Sequence, residues 1–287
     1  MQTERFILRN PLLGIAGTLC AIRQKNKNRK MIPEFLKDYE VELEKYKREF
    51  VKIDAKSLEI PALKDNLDKK ASKFLGIPFY PKSKIYPKDK NGKPMLLAAQ
   101  LNFEEIPKLS NFPENGILQL FLSGTDWYDE ESKVVYHNKT EIEEEFLNDF
   151  SFISEEDYEE MPIQIVHKLK FDKSIENGGL EDCQFDFQFG DLDWLDFIEK
   201  LSEKEEKEFD NYFEAGGHKL GGYAEFTQSD PRDYGGSSRN KDDVHLLQID
   251  SEEDIIFGVV GIGHVFINIE SLKNREFEKA YFTWDCC

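Results

Sequence analysis

The sequence lacks the patterns that identify most metal sites and nucleotide-binding enzymes. Its 287 residues include four cysteines, Cys20, Cys183, Cys286 and Cys287, and no CxxC pair. Such a set supports neither a disulfide framework nor a cysteine-based zinc site. No glycine-rich loop is followed by Lys and Ser or Thr, so there is no P-loop. These absences predict a cytoplasmic protein that needs no metal or cofactor and whose core is held by apolar packing.

Positive charge is scarce outside the N-terminal region. The chain has 57 acidic and 38 basic residues, a net charge of −19. Residues 1–30 hold seven basic residues against Glu4 alone, a net of +6, so residues 31–287 carry −25. Because nucleic-acid binding requires basic side chains that neutralise phosphates, this excess predicts no nucleic-acid partner. It favours either mere solubility or binding to a basic protein partner.

Long apolar runs are also missing. The longest candidate, residues 11–22, has about a dozen mostly apolar residues, whereas a membrane-spanning helix needs about 20. We therefore expect no stable membrane insertion. Residues 1–30 are interpreted as a basic leader that is disordered, or as a start-site artefact with Met31 as the first residue. A cleaved signal or an interfacial anchor is the alternative.

Three short patterns recur in the same order along the chain. Gly76 matches Gly221, Gln100 matches Gln248 and Gly116 matches Gly263, at offsets of 145, 148 and 147 residues. A shared offset at three places is hard to obtain by chance. It predicts an internal duplication with half-repeats at about residues 31–150 and 160–287.

Apolar spacing predicts the elements of each half. It indicates helices over residues 33–50, 63–75, 192–201, 202–215 and 271–279. Strands are expected at 51–60, 96–102, 116–123, 162–171, 220–226, 244–250, 255–260, 262–269 and 280–284, and Phe185, Phe187 and Phe189 repeat the period of a strand. The expected fold is α+β. Its two related halves pack antiparallel sheets and flanking helices into one continuous body, residues 31–287.

Residues 129–160 are here called the acidic segment. They contain 13 acidic residues and two lysines, a net charge of −11. Phe146, Phe150, Phe152 and Tyr158 interrupt the charges and argue against complete disorder. A charge run is usually a solvated face, and a docking surface for a basic partner is the functional alternative.

The densest cluster of special residues runs from Gly221 to Arg232. Gly221-Gly222 permits positive φ or a close approach of another chain segment, and Ser229-Asp230-Pro231-Arg232 is typical of a turn. As a ligand loop, it would use Arg232 for a carboxylate or phosphate and Gln228 and Asp230 for hydrogen bonds. The candidate ligand-binding residues are Gly221, Gly222, Gln228, Asp230, Arg232 and Gln248. The alternative is a demanding turn whose side chains satisfy backbone groups.

Histidines offer a weaker metal hypothesis. His218, His245 and His264 could converge through the duplication, but none of them has the spacing of paired zinc ligands. No metal site is therefore predicted.

The same residues carry a family resemblance. Gly221-Gly222, Gln228 to Arg232, the run Leu246-Leu247-Gln248-Ile249-Asp250 and the end Trp284-Asp285-Cys286-Cys287 resemble the YwqG-like family of bacterial domains of unknown function. Leu97 to Asn102 and Gly116 to Phe121 resemble its first half. The resemblance covers about residues 31–287 and implies one α+β unit of two related halves, with no activity or cofactor to carry over. The chain departs from the family pattern at Ile77 and at Val259, and the latter argues against an obligatory catalytic carboxylate there.

Two functions follow from these observations. The first is a soluble acidic binding module that engages a protein partner, in an immunity-like or regulatory role, with the acidic segment steering a basic partner. The alternative is an enzyme or small-molecule binder with a site between the two halves near Asp230 and Arg232, with His218 as an additional group. The sequence does not decide between the two, nor does it give the oligomeric state.

Overall fold

The computed structural model describes residues 31–233 and 239–286. The predictions for the basic leader, residues 1–30, and for Cys287 lie outside these residues. From Ile32 onward the chain forms one compact unit. None of the helices in the described ranges is long and apolar enough to span a membrane.

Ten strands make up most of the regular structure. They are β1 (Arg48–Ser57), β2 (Lys73–Phe74), β3 (Leu96–Asn102), β4 (Ile117–Leu122), β5 (Ser132–His137), β6 (His167–Glu176), β7 (Lys219–Gly221), β8 (Asp243–Asp250), β9 (Ile262–Asn268) and β10 (Tyr281–Asp285). Most of the predicted strands are confirmed, several to within one or two residues. β5 was missed because it lies in the acidic segment, and the strand predicted at 255–260 is a turn region instead.

The helices are short. The α-helices are α1 (Glu40–Leu43), α2 (Trp194–Ile198), α3 (Glu203–Phe213) and α4 (Ile269–Asn274). Turns of 3-10 helix cover Glu34–Tyr39, Glu44–Tyr46, Ala62–Lys64, Trp127–Asp129, Glu141–Glu143, Glu155–Tyr158 and Phe277–Lys279. The longest, α3, begins with a capping box in which Ser202 and Glu205 exchange hydrogen bonds.

The helix predicted over residues 63–75 is wrong. Asp65 accepts a hydrogen bond from the Leu67 N–H, and Asp68 accepts one from the Lys70 N–H, both at 2.9 Å. Such local bonds to Asp side chains compete with helical backbone bonds. The end of the segment joins the sheet as β2, because Lys73 is held there by a buried ion pair with Asp65.

All ten strands belong to one antiparallel sheet. Its order is β10-β9-β8-β7-β1-β6-β2-β3-β4-β5. The long pair β1 and β6 lies in the middle, with β2-β3-β4-β5 on one side and β7-β8-β9-β10 on the other. The sheet is nearly closed: Trp284 Nε1 of β10 donates to Tyr128 O at 3.1 Å, and Thr283 Oγ1 donates to Glu130 Oε1 at 2.6 Å, both just before β5.

Two of the five apolar clusters in the described residues are large. The larger core takes residues from both sides of the central pair, including Phe74, Leu101, Leu220 and Val265. The second is rich in aromatic residues and joins residues 32–46 to residues 180–215. Phe185, Phe187 and Phe189 lie in it, but the described backbone there forms no strand.

Candidate functional site

Arg232, the centre of the predicted ligand loop, is almost fully buried, with 1% of its surface exposed. Its Nη2 lies 2.7 Å from Asp182 Oδ1 and 2.6 Å from Asp230 Oδ2. Its Nη1 donates to the backbone oxygen of Asp243 at 2.7 Å. The guanidinium also stacks over the ring of Phe266, 4.4 Å from its centroid. The geometry therefore gives the guanidinium partners from the protein itself.

The carboxylates around Arg232 also accept hydrogen bonds from backbone N–H groups. Asp230 Oδ1 accepts the Arg232 N–H, and its Oδ2 accepts the Cys183 N–H, each at 2.9 Å. Asp182 Oδ2 accepts the Ala224 N–H at 2.7 Å. Burial opposes ionisation of Asp230, but its bonds to Arg232 outweigh this and lower the pKa of Asp230. Burial likewise acts to lower the pKa of Arg232, and the bonds to Asp230 and the charge of Asp182 raise it overall.

The two predicted glycines have the positive φ that was expected. Gly221 and Gly222 have φ of +68° and +72°, in the left-handed region. A Cβ on Gly222 would lie 2.3 Å from Glu176 Oε2. That carboxylate accepts the Tyr223 N–H at 2.7 Å and forms a buried ion pair with Lys219. The close approach at Gly222 is therefore made by the protein's own buried carboxylate.

The remaining predicted residues have separate neighbours. Gln248 is fully buried: its Oε1 accepts the Glu225 N–H at 3.0 Å, and its Nε2 donates to Ala215 O at 3.1 Å and Gly217 O at 2.9 Å. The Gln228 N–H donates to Asp285 Oδ2 at 2.8 Å. Among the six predicted ligand-binding residues, Asp230 and Arg232 are the two whose side chains are joined by hydrogen bonds.

Two groups of side chains have the spacing to hold a metal ion. Within the described residues these are Asp182, Cys183 and Asp230, and Asp89, Asp126 and Glu131. The first group already surrounds the Arg232 guanidinium. Burial and the nearby carboxylates raise the pKa of the Cys183 thiol to about 12, so the thiolate is disfavoured. In the second group, Lys90 Nζ lies 3.2 Å from Asp126 Oδ1.

A polar cluster at the central strands was not predicted from the sequence. His218 Nδ1 accepts the Asp250 N–H at 2.9 Å, which places the proton of a neutral ring on Nε2. That Nε2 lies 2.9 Å from Glu252 Oε1, although the two are not aligned as a good hydrogen bond. Glu252 is partly exposed. Burial opposes its ionisation, but the contact with His218 lowers its pKa.

Neighbouring strands complete this cluster. His167 of β6 is buried, and its Nδ1 lies 2.8 Å from Ile165 O. Burial lowers the pKa of His167. On β1, Ser57 Oγ donates to Asp254 Oδ2 at 3.2 Å. His218 was noted in the sequence, but its partners come from distant strands and form no motif.

His245 and His264 form a second buried pair, with ring centroids 5.6 Å apart. His264 Nε2 lies 3.8 Å from Asp285 Oδ1, which is too long for a hydrogen bond. Burial lowers the pKa of both histidines, and His264 lowers that of His245 further. Both rings are therefore neutral at pH 7. Together with His218 they do not form any of the metal-capable groups found in the described part of the chain.

The C-terminal part of the acidic segment is ordered and directs four of its carboxylates outward. Phe150, Ile153 and Tyr158 are buried in the larger core. Trp127 Nε1 donates to the backbone oxygen of Glu160 at 2.6 Å. Glu155, Glu156, Glu159 and Glu160 are exposed, and their carboxylates form no hydrogen bond or ion pair in the described ranges. Apolar anchors thus hold a row of unpaired acids at the surface.

Comparison with known proteins places these features in a family. No curated protein matches the chain. The model of a family described as "Domain of unknown function (DUF1963)" matches residues 72–286, which is more than half of the chain and includes β2 to β10. The chain therefore belongs to this family of domains of unknown function.

Proposed function

We propose that this chain is an acidic binding domain that engages a basic protein partner through the acidic segment, in an immunity-like or regulatory role. The observation that carries the proposal is the row of four unpaired carboxylates between Glu155 and Glu160. An unpaired surface carboxylate keeps its charge available for a cationic partner, and a fixed row of them steers association. Because the backbone is already anchored, binding costs less conformational entropy than ordering a disordered acidic tail.

Phe152 supplies the apolar part of this surface. Its side chain is 45% exposed, and its ring lies 5.7 Å from Phe150 and 5.1 Å from Tyr86, centroid to centroid. An aromatic residue fixed by its neighbours and open to solvent on one side is typical of a binding hot spot. We therefore assign Phe152 the role of an anchor within the acidic surface.

The test is a pull-down with the whole chain as bait at about 50 mM and about 500 mM salt. The variant E155Q/E156Q/E159Q/E160Q removes the four charges, and F152A removes the anchor. E199Q/E203Q/E206Q/D210N is the matched control, since it removes four exposed charges near and on α3. A partner should be retained by the native chain and the control at low salt, and lost with either test variant or at high salt. Equal retention by both quadruple variants, or retention that ignores salt, would overturn the proposal.

We further propose that the two halves of the sheet arose by internal duplication. The matched strand orders support this, as do bulges at the same register position, between Leu97 and Ala99 in β3 and between His245 and Leu247 in β8. Gln100 pairs with Lys73, and Gln248 pairs with Lys219. The proposed half-repeats are about residues 31–150 and 160–287. A YwqG-like bacterial affiliation and a cytoplasmic location, which rest on the sequence alone, are separate parts of the proposal.

The second candidate is an enzyme or small-molecule binder. At Asp230 and Arg232 this alternative has little support, because both side chains are engaged by internal partners. One observation favours His218 instead: its tautomer is set by Asp250, and its Nε2 faces the partly exposed Glu252. Such a pair can move a proton. H218Q and E252Q should then each abolish any ligand-induced thermal shift found in a screen of small metabolites. E252Q should leave the melting temperature of the free protein unchanged, whereas H218Q should lower it without unfolding the protein, because it removes the acceptor of the Asp250 N–H. A shift that survives both substitutions would exclude this site.

A further inference from the structure

The central strand β6 is much longer than its neighbour on one side. β1 pairs with all ten of its residues, from His167 to Glu176. On the other side, β2 pairs only with His167 and Lys168. From residue 169 onward, β6 therefore has no strand partner on the β2 side among the described residues.

The hydrogen-bond pattern shows which backbone groups are left open. The Leu58 N–H, just after β1, donates to Val166 O at 2.9 Å, so the backbone oxygen of Val166 points toward the chain that contains β1. The Ile53 N–H donates to His218 O at 2.9 Å and therefore points away from β6. Phe171, which lies opposite Ile53 in β6, is thus not hydrogen-bonded to β1. In an antiparallel pair these two kinds of position alternate. The N–H and C=O groups of Phe171, Lys173 and Ile175 therefore face away from β1.

These outward groups are accessible. Within the described ranges no backbone or side-chain hydrogen bond reaches Phe171, Lys173 or Ile175 from outside the sheet. Residues 172–175 are all exposed, so neither face of the strand is covered there, and Ile175 is 56% exposed. An open edge with this geometry can accept a further strand through main-chain hydrogen bonds.

The charge on this part of the sheet is opposite to that of the body. Lys168 and Lys170 lie on one face of β6, and Lys56 and Lys52 lie on the adjacent strand, opposite Lys168 and Asp172. These four lysines are exposed and form no ion pair in the described part of the chain. Asp54 and Asp172 share the face, so it carries a net charge of +2, whereas residues 31–287 carry −25.

We propose that the open edge of β6, at Phe171, Lys173 and Ile175, binds an extended acidic peptide segment as an added strand. Alternate side chains of such a strand would lie on the same face as Lys170 and as Lys168, Lys56 and Lys52 nearby. Carboxylates at these positions would be attracted by the net positive charge of this face, and the one beside Lys170 would adjoin a lysine directly. Apolar residues at the intervening positions would lie beside Phe171 and Ile175. A second copy of β6 fits less well, because it would bring its own lysines to this face. The inference does not depend on the acidic segment.

The test uses the full chain and three synthetic octapeptides. They are (Glu-Val)4, (Lys-Val)4 and (Glu-Pro)4. The last has the charge of the first but lacks the N–H at each intervening position, and these are the N–H groups that would donate to β6 in this register. The charge-reversed variant is K168E/K170E, and K204E/K207E on α3 is its matched control. Affinity is measured by fluorescence anisotropy at low salt, and folding by circular dichroism.

The native chain and the control should bind (Glu-Val)4 at least about tenfold more tightly than the other two peptides. K168E/K170E should instead prefer (Lys-Val)4, a gain that an unfolded variant could not show. K173P should lose (Glu-Val)4 while keeping its circular dichroism spectrum, because its N–H makes no bond within the sheet. The proposal is overturned if (Glu-Val)4 does not bind, if (Glu-Pro)4 binds equally well, or if K168E/K170E keeps the native preference.

Discussion

Gln100 and Gln248 make three matching hydrogen bonds to backbone groups on opposite sides of the central strands. Gln100 Oε1 accepts the Phe79 N–H at 2.9 Å, and its Nε2 donates to Lys69 O and Ala71 O, each at 2.8 Å. Gln248 bonds in the same way to the Glu225 N–H and to the oxygens of Ala215 and Gly217. Each amide thus ties the segments before and after a short strand, β2 or β7, to the sheet.

Replacing either glutamine by leucine should be strongly destabilising. Q248L removes three hydrogen bonds and takes from the Glu225 N–H and the Gly217 oxygen the partner that Gln248 supplies, whereas Ala215 O keeps its bond from Lys219 Nζ. We expect a loss of about 3 kcal/mol in the free energy of unfolding, measured by urea denaturation. Q100L should cost a similar amount. The exposed substitution Q228L is the control and should change stability by less than about 1 kcal/mol. A neutral effect of Q248L would mean that the amide is not the tie described above.

Removing the Arg232 guanidinium should threaten the fold itself. R232A would leave Asp182 and Asp230 as a pair of buried carboxylates without their counter-charge. The expected loss is about 3–5 kcal/mol in the free energy of unfolding. R232A/D182N/D230N removes the uncompensated charges and should recover part of the loss. The control K241A breaks only an exposed pair with Asp233 and should be nearly silent. If R232A is as stable as the native chain, the guanidinium is free for a ligand.

Substitutions at Gly217 and Gly222 allow the cost of backbone strain to be distinguished from the cost of steric contact. Gly217 has φ of +84° and open space around an added Cβ, whereas at Gly222 the added Cβ would meet Glu176 Oε2. G217A should therefore cost about 1–2 kcal/mol, from strain alone. G222A should cost about 1–3 kcal/mol more, because the buried carboxylate must move from Lys219 and the Tyr223 N–H. Thermal unfolding of both variants gives the comparison, and equal losses would contradict the close packing at Gly222.

The sequence predicted those parts of the fold that depend on local patterns. β3 and β4 are short apolar runs, and the helix of residues 202–215 has a clear period. The structure confirms an antiparallel sheet with helices. The helix predicted over residues 63–75 failed because Asp65 and Lys73 are drawn into a buried tertiary pair, which no local spacing reveals. β5 was not predicted because its alternation of apolar and polar residues is short and lies among acidic residues.

The candidate site was harder to predict for a related reason. Asp230 and Arg232 were singled out because the turn that joins them is a local pattern, and the structure joins the two side chains in an ion pair. Their third partner, Asp182, is about fifty residues away in the chain, and its role could not be predicted without the fold. His218 and Glu252 are likewise brought together by the antiparallel pairing of β7 and β8 rather than by a motif.

The buried His137 should make stability depend on pH. Burial lowers the pKa of this ring to about 4, and its Nε2 lies 2.9 Å from Gln119 Oε1. In the unfolded chain the ring has its ordinary pKa of about 6.5. Between these values the unfolded state binds more protons, so the stabilising contribution is complete above about pH 6.5 and is lost as the pH falls toward 4. From pH 7 to pH 5 the native chain should lose about 2 kcal/mol through this residue. H137Q lacks the titrating group and should show a correspondingly smaller loss in urea denaturation at the two pH values. The same pH dependence in both proteins would show that His137 is protonated as readily in the folded chain as in the unfolded one.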